Sequence, residues 1–143
     1  MPALANRFRR IKPAAVVVVR RMVREGRFYR RSGEKKMDML ATLIRDLADV
    51  YGVPAPHVHM VDAPLNWLGG GEYDQSTNSI RIGAPYSLMT TLHEFRHMLQ
   101  FRMMPEPPSD VEDDAQAWSH SLFRLALPRL YRDSLRKGKF FHG

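Results

Sequence analysis

No cysteine occurs in the chain, which excludes disulfides, a thiolate nucleophile and a cysteine-ligated metal. Any zinc site must therefore be built from histidine and carboxylates. The same absence fits a reducing compartment. Long apolar runs are also missing. The longest near the N-terminus, Ala14 to Val19, is too short for a spanning helix. It is followed at once by Arg20-Arg21 and lacks a small-residue cleavage site, so a secretory signal is not expected. Pro13 and the valine run fit an organelle transit peptide poorly. The expected location is the cytoplasm, with no membrane partner. Repeats and low-complexity tracts are absent.

Acidic residues are scarce at both ends. Residues 1–36 carry 12 Arg/Lys against Glu25 and Glu34, and residues 124–143 carry 6 against Asp133. Residues 37–123 reverse the balance, with 4 basic and 12 acidic groups. Two basic arms thus flank an acidic middle, and the net charge is +7. Solvated tails, or tails folded back on the middle, are the simplest reading. Nucleic acid bound through the arms is the sharper one.

What is present suits one globular domain: 143 residues with an apolar fraction of 44%. Residues 1–36 read as a basic N-terminal arm or extra helix, 37–128 as the domain proper, and 129–143 as a basic C-terminal tail. Pro13 opens a helix to about Glu25 with Gly26 as its stop, although four consecutive valines favour a strand. Met37, Leu40, Ile44, Leu47 and Tyr51 form one stripe, predicting a helix over 37–51 that Gly52 and Pro54 end. A short strand is expected at His57 to Val61, and a polar hairpin loop over Asp74 to Ser79 feeds a strand at Ile80 to Ile82. Helices over about 85–103 and 110–127 follow. The second of these should bury Val111, Ala115, Trp118, Leu122 and Leu125 before Pro128 interrupts it. The fold class is α+β.

On the 85–103 helix, Leu88, Leu92, Phe95 and Leu99 share one face, which leaves His93 and His97 on the other. His93-Glu94-Phe95-Arg96-His97 is an HExxH arrangement. Its histidines, four apart, project from one face and can bind one metal ion, while Glu94 lies close enough to take a proton from water on it. Catalytic zinc has three protein ligands and an open position. The pattern HExxHxxGxxH is excluded, because Gln100 and Met103 stand where its glycine and third histidine would be. The remaining donors are Glu112, Asp113 and Asp114. A helical wheel turns Asp113 to solvent and leaves Glu112 and Asp114 on opposite flanks of the buried stripe. Ser109-x-x-Glu112 also fits a capping box, which would occupy Glu112 without a metal. Glu106, on the proline-rich loop, is a further alternative.

His93-Glu94-x-x-His97, then Glu112-x-x-Ala115-x-x-Trp118 and Leu125-Ala126-Leu127-Pro128, resembles the gluzincin metallopeptidases. The chain is most similar to the small ImmA/IrrE-like group, over about residues 37–128. Tyr73-Asp74 and Asn78 to Ile82 resemble the hairpin that precedes the zinc helix there. The resemblance implies a zincin-like fold, with a small mostly antiparallel sheet packed against the HExxH helix and a following ligand-bearing helix. It implies Zn2+ on His93, His97 and Glu112, with Glu94 as general base. It further implies hydrolysis of a protein or peptide substrate by limited cleavage, the partner being of the transcriptional-repressor kind. The gap from His97 to Glu112 is short for that group, and Phe95 and Arg96 stand where small or aliphatic residues are usual.

Other residues carry weaker signals. Ser79 to Ile82 is a candidate edge for an added peptide strand. Tyr73, Tyr86 and His120 are chemically able to assist a developing oxyanion, with His120 expected on the solvent side of its helix. His57 and His59 share a strand face without a third ligand. Arg96 is expected to pair with Asp110 or Asp113. The alternative function is a catalytically silent zincin-like basic module that binds nucleic acid or a protein partner.

Overall fold

A computed structural model describes residues 8–65 and 70–138. Helix α1 spans Pro13–Arg24. Pro13 opens it, since proline lacks the N–H that a first turn leaves unused. The valine run is helical because tertiary packing outweighs its strand preference. Ala15 and Val19 are fully buried, and only Val17 is left substantially exposed. After a 3-10 turn at Phe28–Arg30, α2 spans Gly33–Tyr51. It begins four residues before the expected start because Ser32 caps it, accepting from the Lys35 N–H. Gly52, at φ 64°, closes it by donating to Ala48 and Asp49.

Three strands follow: β1 (His57–Pro64), β2 (Gly71–Asp74) and β3 (Ser79–Ala84). The β2–β3 turn is held by the Asp74 carboxylate, which accepts from the Ser76 N–H and hydroxyl. β2 and β3 pair antiparallel, with Tyr73 opposite Ile80, whereas β1 runs parallel to β3, with Val58 opposite Ile80. The order is β1-β3-β2. Two expectations are thereby corrected. The sheet is mixed rather than mostly antiparallel, and β3 is its centre, so Ser79 to Ile82 offers no free edge. The hairpin is a local feature, but the β1–β3 pairing joins residues 20 or more apart and leaves no local signal.

Gly83 sits at this junction, where an added Cβ would lie 2.5 Å from the Ala63 carbonyl oxygen. Gly83→Ala should therefore cost about 1–3 kcal/mol through a forced backbone shift. A urea midpoint equal to wild type would refute that.

Ser87 caps α3 (Leu88–Met98) by accepting from the Thr90 N–H. The helix starts three residues after Pro85, because a turn bonding Tyr86 N–H to Gly83 intervenes. Its last stretch, Leu99–Met103, winds as a π-helix. Helix α4 spans Val111–Ala126 and is capped by Asp110, whose carboxylate accepts from the Asp113 N–H. The Ser109–Glu112 capping box does not form, and Glu112 is free to point elsewhere. Leu125 is about half exposed, and Phe123 and Ala126 take the buried positions expected of it. Pro128 ends α4 and opens a further helix, α5 (Pro128–Arg136). Most of the expected basic tail is therefore helical; residues 139–143 lie outside the described residues.

The core joins helices and sheet, with Phe95 stacked on Trp118 at 6.2 Å and Tyr51 packed against both. The N-terminal segment belongs to it: Phe8 and Phe28 are buried. The Arg20 guanidinium donates to the carbonyls of Leu125 and Ala126, satisfying the open C-terminal end of α4. Among the described residues, no helix is long and apolar enough to cross a membrane.

Candidate metal centre

Helix α3 is positioned by its apolar face: Leu88, Leu92, Phe95 and Leu99 are all buried. The opposite face carries His93 and His97 toward the start of α4. His93 Nε2 lies 3.0 Å from Glu112 Oε2, His97 Nε2 2.8 Å from Glu112 Oε1, and the two imidazole nitrogens are 3.1 Å apart. Tetrahedral ligands at zinc–ligand distances near 2.0–2.1 Å are separated by about 3.3 Å. The three side chains are therefore gathered around one point at close to the spacing a single ion requires. Among the described residues, this is the one group of three His, Asp or Glu side chains that could hold a metal ion. The Glu112 side chain is 72% exposed, which leaves the centre open on that side.

The surroundings decide which carboxylate is available. Asp114 accepts from Arg96 Nε at 2.8 Å and Nη2 at 3.3 Å, and from Gln100 Nε2 at 2.7 Å. It is committed to Arg96, which corrects the expected partners Asp110 and Asp113. Asp113 faces solvent, as the wheel requires, and Glu106 is exposed on its loop. Burial alone would raise the Asp114 carboxyl. Hydrogen bonds from Arg96 and Gln100, with the Arg96 charge, hold it below its ordinary value instead.

Gln100 was visible in the sequence only as a missing glycine, yet it organises the site. Its Oε1 lies 2.8 Å from His97 Nδ1, while its amide nitrogen donates to the Val111 carbonyl and Asp114. With the amide so oriented, His97 Nδ1 carries the proton and Nε2 presents a lone pair to an ion. The signal was the i, i+3 spacing of His97 and Gln100 on one helix face.

Glu94 is only 7% exposed. Burial, followed by the nearby charges of Glu112 and Glu72, pushes its carboxyl up to about 8, against a hydrogen bond from the Tyr73 backbone that lowers it. Helix α3, which carries Glu94, packs beside the edge strand β2. Burial, then His97, lowers the pKa of His93, which favours the neutral ring that a metal needs.

The possible helper groups separate clearly. The Tyr86 hydroxyl donates to the Val61 carbonyl, and the Tyr73 hydroxyl to Asn78 Oδ1, so each serves local structure. His120 is half-buried rather than on the solvent side, and it lies close enough to contribute to lowering the His93 pKa. Its Nδ1 lies 2.9 Å from the Tyr131 hydroxyl on α5, which orients the ring. His57 and His59 are both exposed, in keeping with ordinary polar residues on one strand face.

The arrangement could hold a metal ion on two imidazoles and one carboxylate, with a second, buried carboxyl on the same helix. Comparison of the chain with protein-family models, curated proteins and solved structures finds no match.

Proposed function

We propose that this protein is a zinc-dependent metallopeptidase of the gluzincin type, acting on a peptide or a particular protein partner. The observation that carries the reading is the convergence of His93 Nε2, His97 Nε2 and the Glu112 carboxylate beside the buried Glu94. Two histidines and a glutamate are a donor set of catalytic zinc, and three protein ligands leave a position for water. Zinc held by His93, His97 and Glu112 would supply Lewis acidity and lower the pKa of a water beside it toward neutrality.

The chain's own groups supply the rest. Burial pushes the Glu94 carboxyl up. The positive charge of a bound ion would draw it back to the ionised form, in which it would take a water proton on a carboxylate oxygen and pass it to the leaving amine. The burial of Glu94 restricts the directions that carboxylate can take. The outer edge of β2 accepts a peptide as an added strand. It replaces the β3 edge expected from sequence, and β2 packs against α3, which carries Glu94. His120, oriented by Tyr131, is the best placed side chain to assist the developing oxyanion. Similarity to the ImmA/IrrE-like group favours limited cleavage of a partner such as a transcriptional repressor.

Metal content tests this reading. The purified protein is expected to hold one zinc per chain, lost in His97→Ala and Glu112→Ala. Asp114→Ala should retain the metal with about 10–100-fold weaker affinity, since it perturbs Gln100 and Arg96 rather than a ligand. No stoichiometric zinc in the wild type sinks the proposal, and zinc lost from Asp114→Ala but kept by Glu112→Ala would overturn the ligand set.

A further inference from the structure

We propose that the turn between α1 and α2 binds single-stranded nucleic acid, with Arg24, Arg27 and Arg30 on phosphates and Tyr29 against a base. Val23, Arg24, Arg27, Tyr29 and Arg30 line a pocket of about 320 Å³ at this turn. All three guanidinium groups are exposed, and none forms an ion pair with a carboxylate among the described residues. Phosphate is the anion that planar guanidinium groups bind most effectively.

The turn is built rather than loose. Phe28 is buried beneath it, with the Lys36 ammonium 5.4 Å from its ring centre. The Gly26 N–H donates to the Arg21 carbonyl, and Arg31 Nε donates to the Gly26 carbonyl. Arg27 takes a left-handed backbone at φ 54°, which reverses the chain so that residues 24, 27 and 30 border one pocket. The Tyr29 ring rests edge-on against Phe28 at 5.1 Å and is 48% exposed, leaving surface for a stacked base.

The acidic half of the chain does not neutralise this surface. Its arginine–carboxylate pairs, Arg81–Glu72 and Arg96–Asp114, are internal to it. Within residues 8–36 the one such pair is Arg21–Glu25, at 3.9 Å and exposed. The aromatic ring among the arginines favours a nucleic acid over a membrane surface, which offers nothing to stack. The site shares no residue with the candidate metal centre and stands without it.

The test uses the full chain and fluorescein-labelled single strands of RNA and of DNA, about a dozen nucleotides long, with anisotropy read across a salt series. Binding should weaken linearly with the logarithm of salt concentration. The R24Q/R27Q/R30Q variant should reduce that slope by about 2 and the affinity by at least about tenfold. Tyr29→Ala should lose about tenfold at unchanged slope, while Arg45→Gln, on α2, serves as the unaffected control. Binding of either strand supports the proposal, and their ratio says whether RNA or DNA is the ligand. It is overturned if neither strand binds at low salt. It is also overturned if heparin or phosphatidylserine vesicles bind as tightly and Tyr29→Ala changes nothing. If the triple variant is poorly folded by thermal melting, Tyr29→Ala alone decides.

Discussion

Glu94→Gln is expected, under the proposed function, to hold zinc as wild type does and to lower peptide hydrolysis by about 10²–10⁴-fold, the usual worth of a positioned general base. The side chains that could hold the ion are those of His93, His97 and Glu112, so an amide at position 94 removes none of them. Glutamine has the shape of glutamate and carries no charge into a site only 7% exposed, so the variant should melt no lower than wild type. What is lost is the ability to accept and return a proton. Zinc content, thermal melting and cleavage of a denatured protein or peptide library are the three readouts. Activity unchanged at full zinc occupancy would remove Glu94 from the chemistry and leave a metal-holding module in place of a peptidase.

The largest expected stability effect lies one side chain away. Arg96→Met should destabilise the protein by about 2–4 kcal/mol: breaking a buried charge pair from one side costs more, but the Asp114 side chain left behind is 27% exposed. The Arg96 side chain is 3% exposed. It binds Asp114 through two nitrogens, donates to the Phe8 carbonyl, and lies 5.4 Å from the centre of the Trp118 ring. Methionine fills part of the volume, but it leaves Asp114 with Gln100 as its sole remaining side-chain donor and the Phe8 carbonyl without this one. Replacing both partners, as in Arg96→Met/Asp114→Leu, should recover much of the loss, since no charge is then left buried. A double variant no more stable than Arg96→Met would contradict this account.

The pair also predicts a pH dependence. Asp114 is held below its ordinary carboxylate value in the folded protein. Its contribution is therefore complete above the unfolded value near 3.9 and is lost as pH falls through the lower folded value. The acid limb of stability should be shallower in Arg96→Met. Acid limbs of equal steepness in parallel unfolding titrations of the two proteins would show the idea wrong.

Much of the site was legible because helical geometry is local. Apolar residues at 88, 92, 95 and 99 determine which face of α3 is buried, and so where residues 93 and 97 project. The early start of α2 was missed, although Ser32 three residues before Lys35 carried a cap signal. The helix after Pro128 was missed because its few apolar groups, Leu130 and Tyr131, gain burial only against α4. The mixed sheet was missed because the pairing of β1 with β3 is made across the chain.

The third ligand divides the two kinds of knowledge. From the sequence alone came a two-histidine metal face with an adjacent glutamate, and a choice between Glu112 and Asp114 at its completion. Periodicity could carry the choice no further, because both residues flank the same buried stripe. The tertiary structure settled which carboxylate meets the histidines. Asp110 caps α4 and so releases Glu112, while Arg96 and Gln100, on the facing helix, bind Asp114. A carboxylate is available to a metal only when no nearer cation or donor has claimed it, and those competitors come from elements brought together by folding.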